Sequence, residues 1–142
     1  MEPGGDLKRW SASTGFYVMS YGKVAAGKRV FIVEDELMIR MLLEGMLADL
    51  GHSVAAEAGG LDEAISLAKE AEFDLAVLDV NLNGTPVTPV VEILVARGVP
   101  FIFASGYGQR GLPEAYQTAP ILQKPFQVDA LEEAIQAVAD AA

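Results

Sequence analysis

The sequence predicts an α/β domain built on a doubly wound five-stranded parallel sheet, and two observations carry that expectation. The runs Val30-Phe31-Ile32-Val33, Leu75-Ala76-Val77-Leu78 and Phe101-Ile102-Phe103-Ala104 are apolar at every position, as strands covered on both faces must be. Between such runs lie segments whose apolar residues recur at helical spacing, so strand and helix alternate from Arg29 onward. Right-handed crossovers turn that alternation into a doubly wound sheet.

Taken in order, residues 1–27 are rich in Gly and Ser, with Trp10, Phe16, Tyr17 and Tyr21 scattered among them. They show no sustained period and read as a flexible N-terminal extension, native or added, with docking through the aromatics as the alternative. Met19 offers an alternative start. Residues 28–142 form one domain. Its first strand runs into Glu34-Asp35. The first helix covers residues 36–50, with Ile39, Leu42, Leu43, Met46, Leu47 and Leu50 on one face and Gly51 as its stop. Residues 52–57 read as the second strand and residues 61–71 as the second helix, with Leu61, Ala64, Ile65 and Ala68 turned inward. The third strand ends at Asp79 and is followed by a loop of Asn81, Asn83, Gly84 and Thr85. Pro86 and Pro89 suit the first turn of a third helix that continues to about Arg97. The fourth strand ends at Ser105. Gly106, Gly108, Gly111 and Pro113 then leave room for little more than a turn around residues 114–117, so the fourth helix is expected to be short or irregular. Ile121-Leu122-Gln123 ends at Lys124-Pro125, and a last helix over 128–141 aligns Val128, Leu131, Ile135 and Val138.

Bulk properties set limits on function. A chain of 142 residues is of single-domain size and can bury a core. The absence of cysteine excludes disulfides, thiolate metal sites and a cysteine nucleophile. No stretch approaches the roughly 20 apolar residues of a membrane helix. Lys8, Arg9 and Trp10 precede no apolar run, so no signal peptide is read there. The expectation is a cytoplasmic protein. From Val30 onward five basic residues face eighteen acidic ones, a balance that repels phosphate backbones and anionic lipid; nucleic acid and membrane are not expected partners. Most of this acidity is a solvated surface. Glu34, Asp35 and Asp79 differ because each follows a strand that should be buried.

If the strands are parallel, their C-terminal ends open on one edge, where open α/β sheets place ligands. Carboxylates gathered there call for a cation, and Lys124 calls for an anion. Mg²⁺ with a phosphoryl group satisfies both demands.

Glu34-Asp35, Asp79, Ser105 and Lys124-Pro125-Phe126, each after its own strand and in this order, resemble the signature of two-component receiver domains over residues 28–142. Asp79-Val80-Asn81-Leu82-Asn83-Gly84 and Phe103-Ala104-Ser105-Gly106-Tyr107-Gly108 are similar to the single-domain receivers nicknamed "FAT GUY", known mainly from alphaproteobacteria. The resemblance implies a flavodoxin-like receiver fold with strand order 2-1-3-4-5. It implies Asp79 as phosphoacceptor. Asp35 and Asp79 would bind Mg²⁺ directly, Glu34 through coordinated water and Asn81 through its backbone carbonyl. Lys124 would pair with the phosphoryl oxygens, Ser105 would hydrogen-bond them in place of the usual threonine, and Lys124–Pro125 would be cis. Ile121 stands where many receivers carry a switching aromatic. Tyr107 is then the candidate switch, with a passive surface tyrosine as its alternative.

The implied partners are a sensor histidine kinase or histidine phosphotransfer protein and an unknown downstream protein. With no output module read after the last helix, the signal would pass by contact. No enzymatic activity is expected. A phosphorylation-independent adaptor is the alternative. Asp79 through Thr85 is also similar to the start of haloacid-dehalogenase-type phosphatases, but Asn81 replaces the second Asp that motif needs. His52 reads as structural or exposed. Gly106, Gly108 and Gly111 form no phosphate loop, and Ser105 lies in no Gly-x-Ser-x-Gly elbow.

Overall fold

The computed structural model describes residues 9–13, 16–20, 27–106, 112, 114–116, 119 and 121–141, with the backbone alone for 9–13, 16–20, 140 and 141. One sheet holds five strands, β1 Arg29–Val33, β2 Ser53–Ala58, β3 Leu75–Asp79, β4 Phe101–Ser105 and β5 Ile121–Gln123. They run parallel in the order β2-β1-β3-β4-β5, which is the expected doubly wound arrangement. Among the described residues four helices cover the sheet: α1 Leu37–Asp49, α2 Leu61–Glu70, α3 Thr88–Arg97 and α4 Val128–Ala141. Between β4 and β5 a single 3₁₀ turn, Glu114–Tyr116, is described.

The apolar strands serve two cores because successive side chains point to opposite faces. Phe31, Val33, Leu78 and Phe103 pack under α2 and α3, whereas Val30, Ile32, Val77 and Ile102 pack under α1 and α4. Burial of Leu43 and Leu47 fixes α1 to the sheet, at about 1.5–3 kcal/mol for each side chain relative to exposure. The helix ends at Gly51, whose φ of 89° suits a residue without Cβ. The Gly51 N–H donates to the Ala48 carbonyl at 3.1 Å and the His52 N–H to that of Leu47 at 2.8 Å, the paired bonds of a Schellman stop. Arg97 from α3 donates to the Ala68 carbonyl and lies 4.9 Å over the Phe73 ring, fastening α3 to α2.

Three details differ from the sequence reading. Leu42 is 43% exposed, because it sits at the flank of the apolar stripe rather than at its centre. Pro86 is not in the first turn of α3. It pairs with Asn81 in a two-residue antiparallel ladder, Asn81–Leu82 with Thr85–Pro86, and Pro89 alone lies in the first helical turn. The backbone of Arg9–Ser13 pairs antiparallel with that of Phe16–Ser20, a hairpin the sequence pattern did not predict. These two strands show no sustained period in a Gly- and Ser-rich background and are not set between amphipathic helices as the sheet strands are.

His52 is buried, and its Nδ1 accepts the Lys28 backbone N–H at 2.9 Å. Burial, and next the Lys28 charge, hold its pKa below the ordinary 6.5. The unfolded chain therefore binds more protons at mildly acid pH. Its contribution is complete above about pH 6.5 and is lost as the pH falls through the folded value. Denaturant midpoints should drop as the pH falls below about 6.5, more for the wild type than for His52→Gln. Parallel curves for the two proteins would assign the loss elsewhere.

Candidate functional site

Parallel register brings the ends of β1, β3, β4 and β5 to one edge. Val33 is level with Leu78, Asp79 with Ala104, and Ser105 with Gln123. Residues immediately after these positions, Glu34, Asp35 and Lys124, are therefore neighbours in space. The Lys124 N–H donates to the Ser105 carbonyl at 2.9 Å, which holds the start of the next segment against β4. The Lys124–Pro125 peptide is cis.

Glu34, Asp35 and Asp79 offer carboxylate oxygens that all lie within 4.8 Å of one another. Glu34 and Asp79 are buried, at 1% and 8% exposure. Lys124 Nζ lies 2.7 Å from Glu34 Oε1 and 3.4 Å from Asp79 Oδ2. Backbone donors fix the carboxylates further. The Glu36 N–H donates to Glu34 Oε2 at 3.0 Å, the Asn81 N–H to Asp79 Oδ1 at 3.3 Å and the Asn83 N–H to Asp35 Oδ2 at 3.3 Å. The group opens into a cavity of about 610 Å³ whose lining includes Asp35, Glu36, Asp79, Asn81, Ser105 and Lys124.

Charge crowding shows in the proton affinities. Burial first, and the Glu34 charge second, push Asp79 up to about 7, with Lys124 acting against them. For Asp35 burial also acts upward, but hydrogen bonding with Asp79, Glu34 and the Asn83 N–H outweighs it and leaves the carboxyl below 3.8. Burial lowers Lys124, yet its contacts with Glu34 and Asp79 outweigh that and raise it above 10.5. Without a cation, then, Asp79 holds its proton to a higher pH than an ordinary aspartate.

These residues suit a divalent hard cation. The donors are all oxygens. Glu34 Oε1 is buried and accepts no directed hydrogen bond, so its contact with Lys124 is that of an ion pair. Three carboxylates held together with one ammonium leave excess negative charge for a cation to neutralise.

The sequence reading named Glu34, Asp35, Asp79, Asn81, Ser105 and Lys124, and all six meet at this edge. Tyr107 lies outside the described residues. The backbone donors of Glu36 and Asn83 were not foreseen. The Asn83-Gly84 pair was the available signal, because it marks a two-residue turn that brings Asn83 back over Asp35.

A parallel α/β sheet with an acidic cluster and a lysine at its C-terminal edge defines a class of domains built to handle a cation and an anionic group together. The family profile "Response regulator receiver domain" matches residues 30–136. The chain belongs to the response regulator receiver domain family. It is 35% identical over 116 residues to the transcriptional regulatory protein PdtaR of Mycobacterium tuberculosis, across 79% of this chain and 57% of PdtaR. The chain thus spans less than two thirds of that relative. It is 32% identical over 119 residues to the chemotaxis protein CheY of Thermotoga maritima, across 79% of this chain and 98% of CheY. The solution structure of SdrG from Sphingomonas melonis Fr1 superposes with a TM-score of 0.73 at 36% identity, covering 82% of this chain and 99% of SdrG. A receiver domain is a signalling module, and the haloacid-dehalogenase reading is not favoured. Among the described residues no helix is long and apolar enough to cross a membrane.

Proposed function

We propose that this receiver accepts a phosphoryl group on Asp79 from a phosphohistidine donor and passes the signal by protein contact, without enzymatic activity of its own. The observation that carries this reading is the buried Asp79 carboxylate at the cavity floor, with Lys124 Nζ 3.4 Å away and two further carboxylates beside it. An Asp79 oxygen attacks phosphorus; the new O–P bond forms as the N–P bond to the donor imidazole breaks, and the imidazole takes a proton from solvent. Lys124 stays paired with the phosphoryl oxygens as their charge spreads. Ser105, 3% exposed on the cavity wall, offers a hydroxyl to one of those oxygens. Mg²⁺ held by Asp35, Asp79, the Asn81 carbonyl and, through water, Glu34 would neutralise the carboxylates and the incoming group.

The surface beside the cavity supports a protein donor. α1 exposes Leu37 and Met38, then Met41 and Leu42 one turn on, an apolar face of the kind that marks protein contacts. It begins next to Glu36, which lines the cavity. A histidine kinase or histidine phosphotransfer protein delivering to Asp79 has to cover this rim. The complete cluster of three carboxylates and one ammonium, two of the carboxylates buried, supports phosphorylation over an adaptor role, which would need none of them.

Intact-protein mass after incubation with acetyl phosphate and Mg²⁺ tests this. One added phosphoryl group, absent when EDTA is present, is the expected result. If neither acetyl phosphate nor histidine kinases modify the protein, the adaptor reading replaces this one.

A further inference from the structure

The Asn83-Gly84 turn roofs the acidic cavity, and both of its residues line it. Asn83 has φ 50° and Gly84 φ 85°, the positive values that a two-residue hairpin turn of the mirror-image type requires. Both residues are exposed, and the space beside the Gly84 Cα is open, with nothing within 4 Å of where a Cβ would stand. The ladder that closes the turn is two residues long on each side, and its last member, Pro86, has no N–H to donate. Such a turn opens locally at small expense compared with the buried strands beneath it.

From this juxtaposition we propose that Asn83 is a site of spontaneous deamidation, and that its isoaspartyl product down-regulates the phosphoacceptor site. The Gly84 backbone nitrogen, having lost its proton, attacks Asn83 Cγ. The N–Cγ bond forms, the Cγ–Nδ2 bond breaks and Nδ2 leaves as ammonia with the proton. Water then opens the resulting succinimide. Opening at the main-chain carbonyl yields isoaspartate, in which the chain passes through the former side chain and a carboxylate is left free. No oxidant or partner is needed. Glycine favours the ring closure because it has no side chain to obstruct the nucleophile. Asn81 provides an internal contrast, since the residue after it, Leu82, is buried and held in the ladder.

The product alters the site in two ways. An added backbone atom displaces the Asn83 N–H that now donates to Asp35 Oδ2 at 3.3 Å. A new negative charge also appears beside three carboxylates already within 4.8 Å of one another, where it repels an anionic phosphodonor. This second part rests on the receiver reading above.

The test is incubation of the whole protein in mildly alkaline buffer, with isoaspartate located by isoaspartyl methyltransferase labelling and peptide mapping. Aliquots are then offered acetyl phosphate and Mg²⁺. Isoaspartate should form at Asn83 roughly tenfold faster than at Asn81, a barrier difference of ~1.4 kcal/mol. Phosphoryl uptake should fall in step with the Asn83 isoaspartate fraction. Asn83→Gly keeps a residue suited to the left-handed turn and should lose no uptake during incubation, whatever its starting value. Absence of isoaspartate at Asn83, or uptake that ignores its accumulation, overturns the inference. If fresh protein takes up no phosphoryl group, the receiver reading fails separately, and isoaspartate formation at Asn83 alone decides this inference.

Discussion

Asp79→Asn should take up no phosphoryl group from acetyl phosphate, and in metal-free buffer at about pH 8 it should be more stable than the wild type. Both outcomes arise from the same crowding. An amide lacks the anionic oxygen that attacks phosphorus, but it also removes one of three carboxylates packed within 4.8 Å of one another. The Asp79 pKa is raised from 3.8 to about 7, so the folded state binds more protons than the unfolded chain between these values. Stability from this group is greatest below the unfolded value, is lost as the pH rises through the folded one, and stays low above it. Metal-free wild type should therefore lose stability from mildly acid to neutral pH at this site, while Asp79→Asn shows a flatter profile. Adding Mg²⁺ should return the difference to the wild type alone. Chemical denaturation at several pH values, with EDTA or with Mg²⁺, reads all three effects. Equal profiles for the two proteins would mean that Asp79 is not the strained carboxyl.

The second large effect is expected at Lys124. Its ammonium lies 2.7 Å from Glu34, which is 1% exposed. Removing one partner of a buried pair leaves an uncompensated charge, a loss of about 3–5 kcal/mol. Lys124→Met keeps most of the aliphatic stem and deletes the charge. It should lower metal-free stability by roughly that amount, a large share of the ~5–15 kcal/mol that holds a domain together. Mg²⁺ should restore much of the loss, because a divalent cation neutralises the same carboxylates, and Mg²⁺ should bind the variant more tightly than the wild type. Phosphoryl transfer should slow without stopping, since the nucleophile remains. A variant as stable as the wild type in EDTA would show that solvent, and not Lys124, compensates Glu34.

Much of this was legible in the residues. Runs apolar at every position dictated strands covered on both faces, and Val33-Glu34-Asp35, Leu78-Asp79 and Gln123-Lys124 showed where those strands stop being apolar. Gly51 marked the end of α1, and the turn expected around residues 114–117 has its counterpart in the 3₁₀ turn Glu114–Tyr116. Local signals of this kind depend on a residue's own chemistry and its near neighbours. The early hairpin and the place of Pro86 were not legible, because those segments show no sustained period and lack the alternation with amphipathic helices that marks the sheet strands.

The sequence by itself determined the order of the sheet strands and the helices between them, and the residue types available at each strand end. Only the tertiary structure decided how they interact. Parallel register, built from backbone hydrogen bonds between segments distant along the chain, set Asp79 level with Ala104 and Ser105 with Gln123. That alignment brings Lys124 against both Glu34 and Asp79 and folds the Asn83 turn back onto Asp35. It also buries Asp79 beside Glu34, which lifts its proton affinity. Burial and distance between remote residues are properties of the packed chain, and they turn an ordinary aspartate into a strained one.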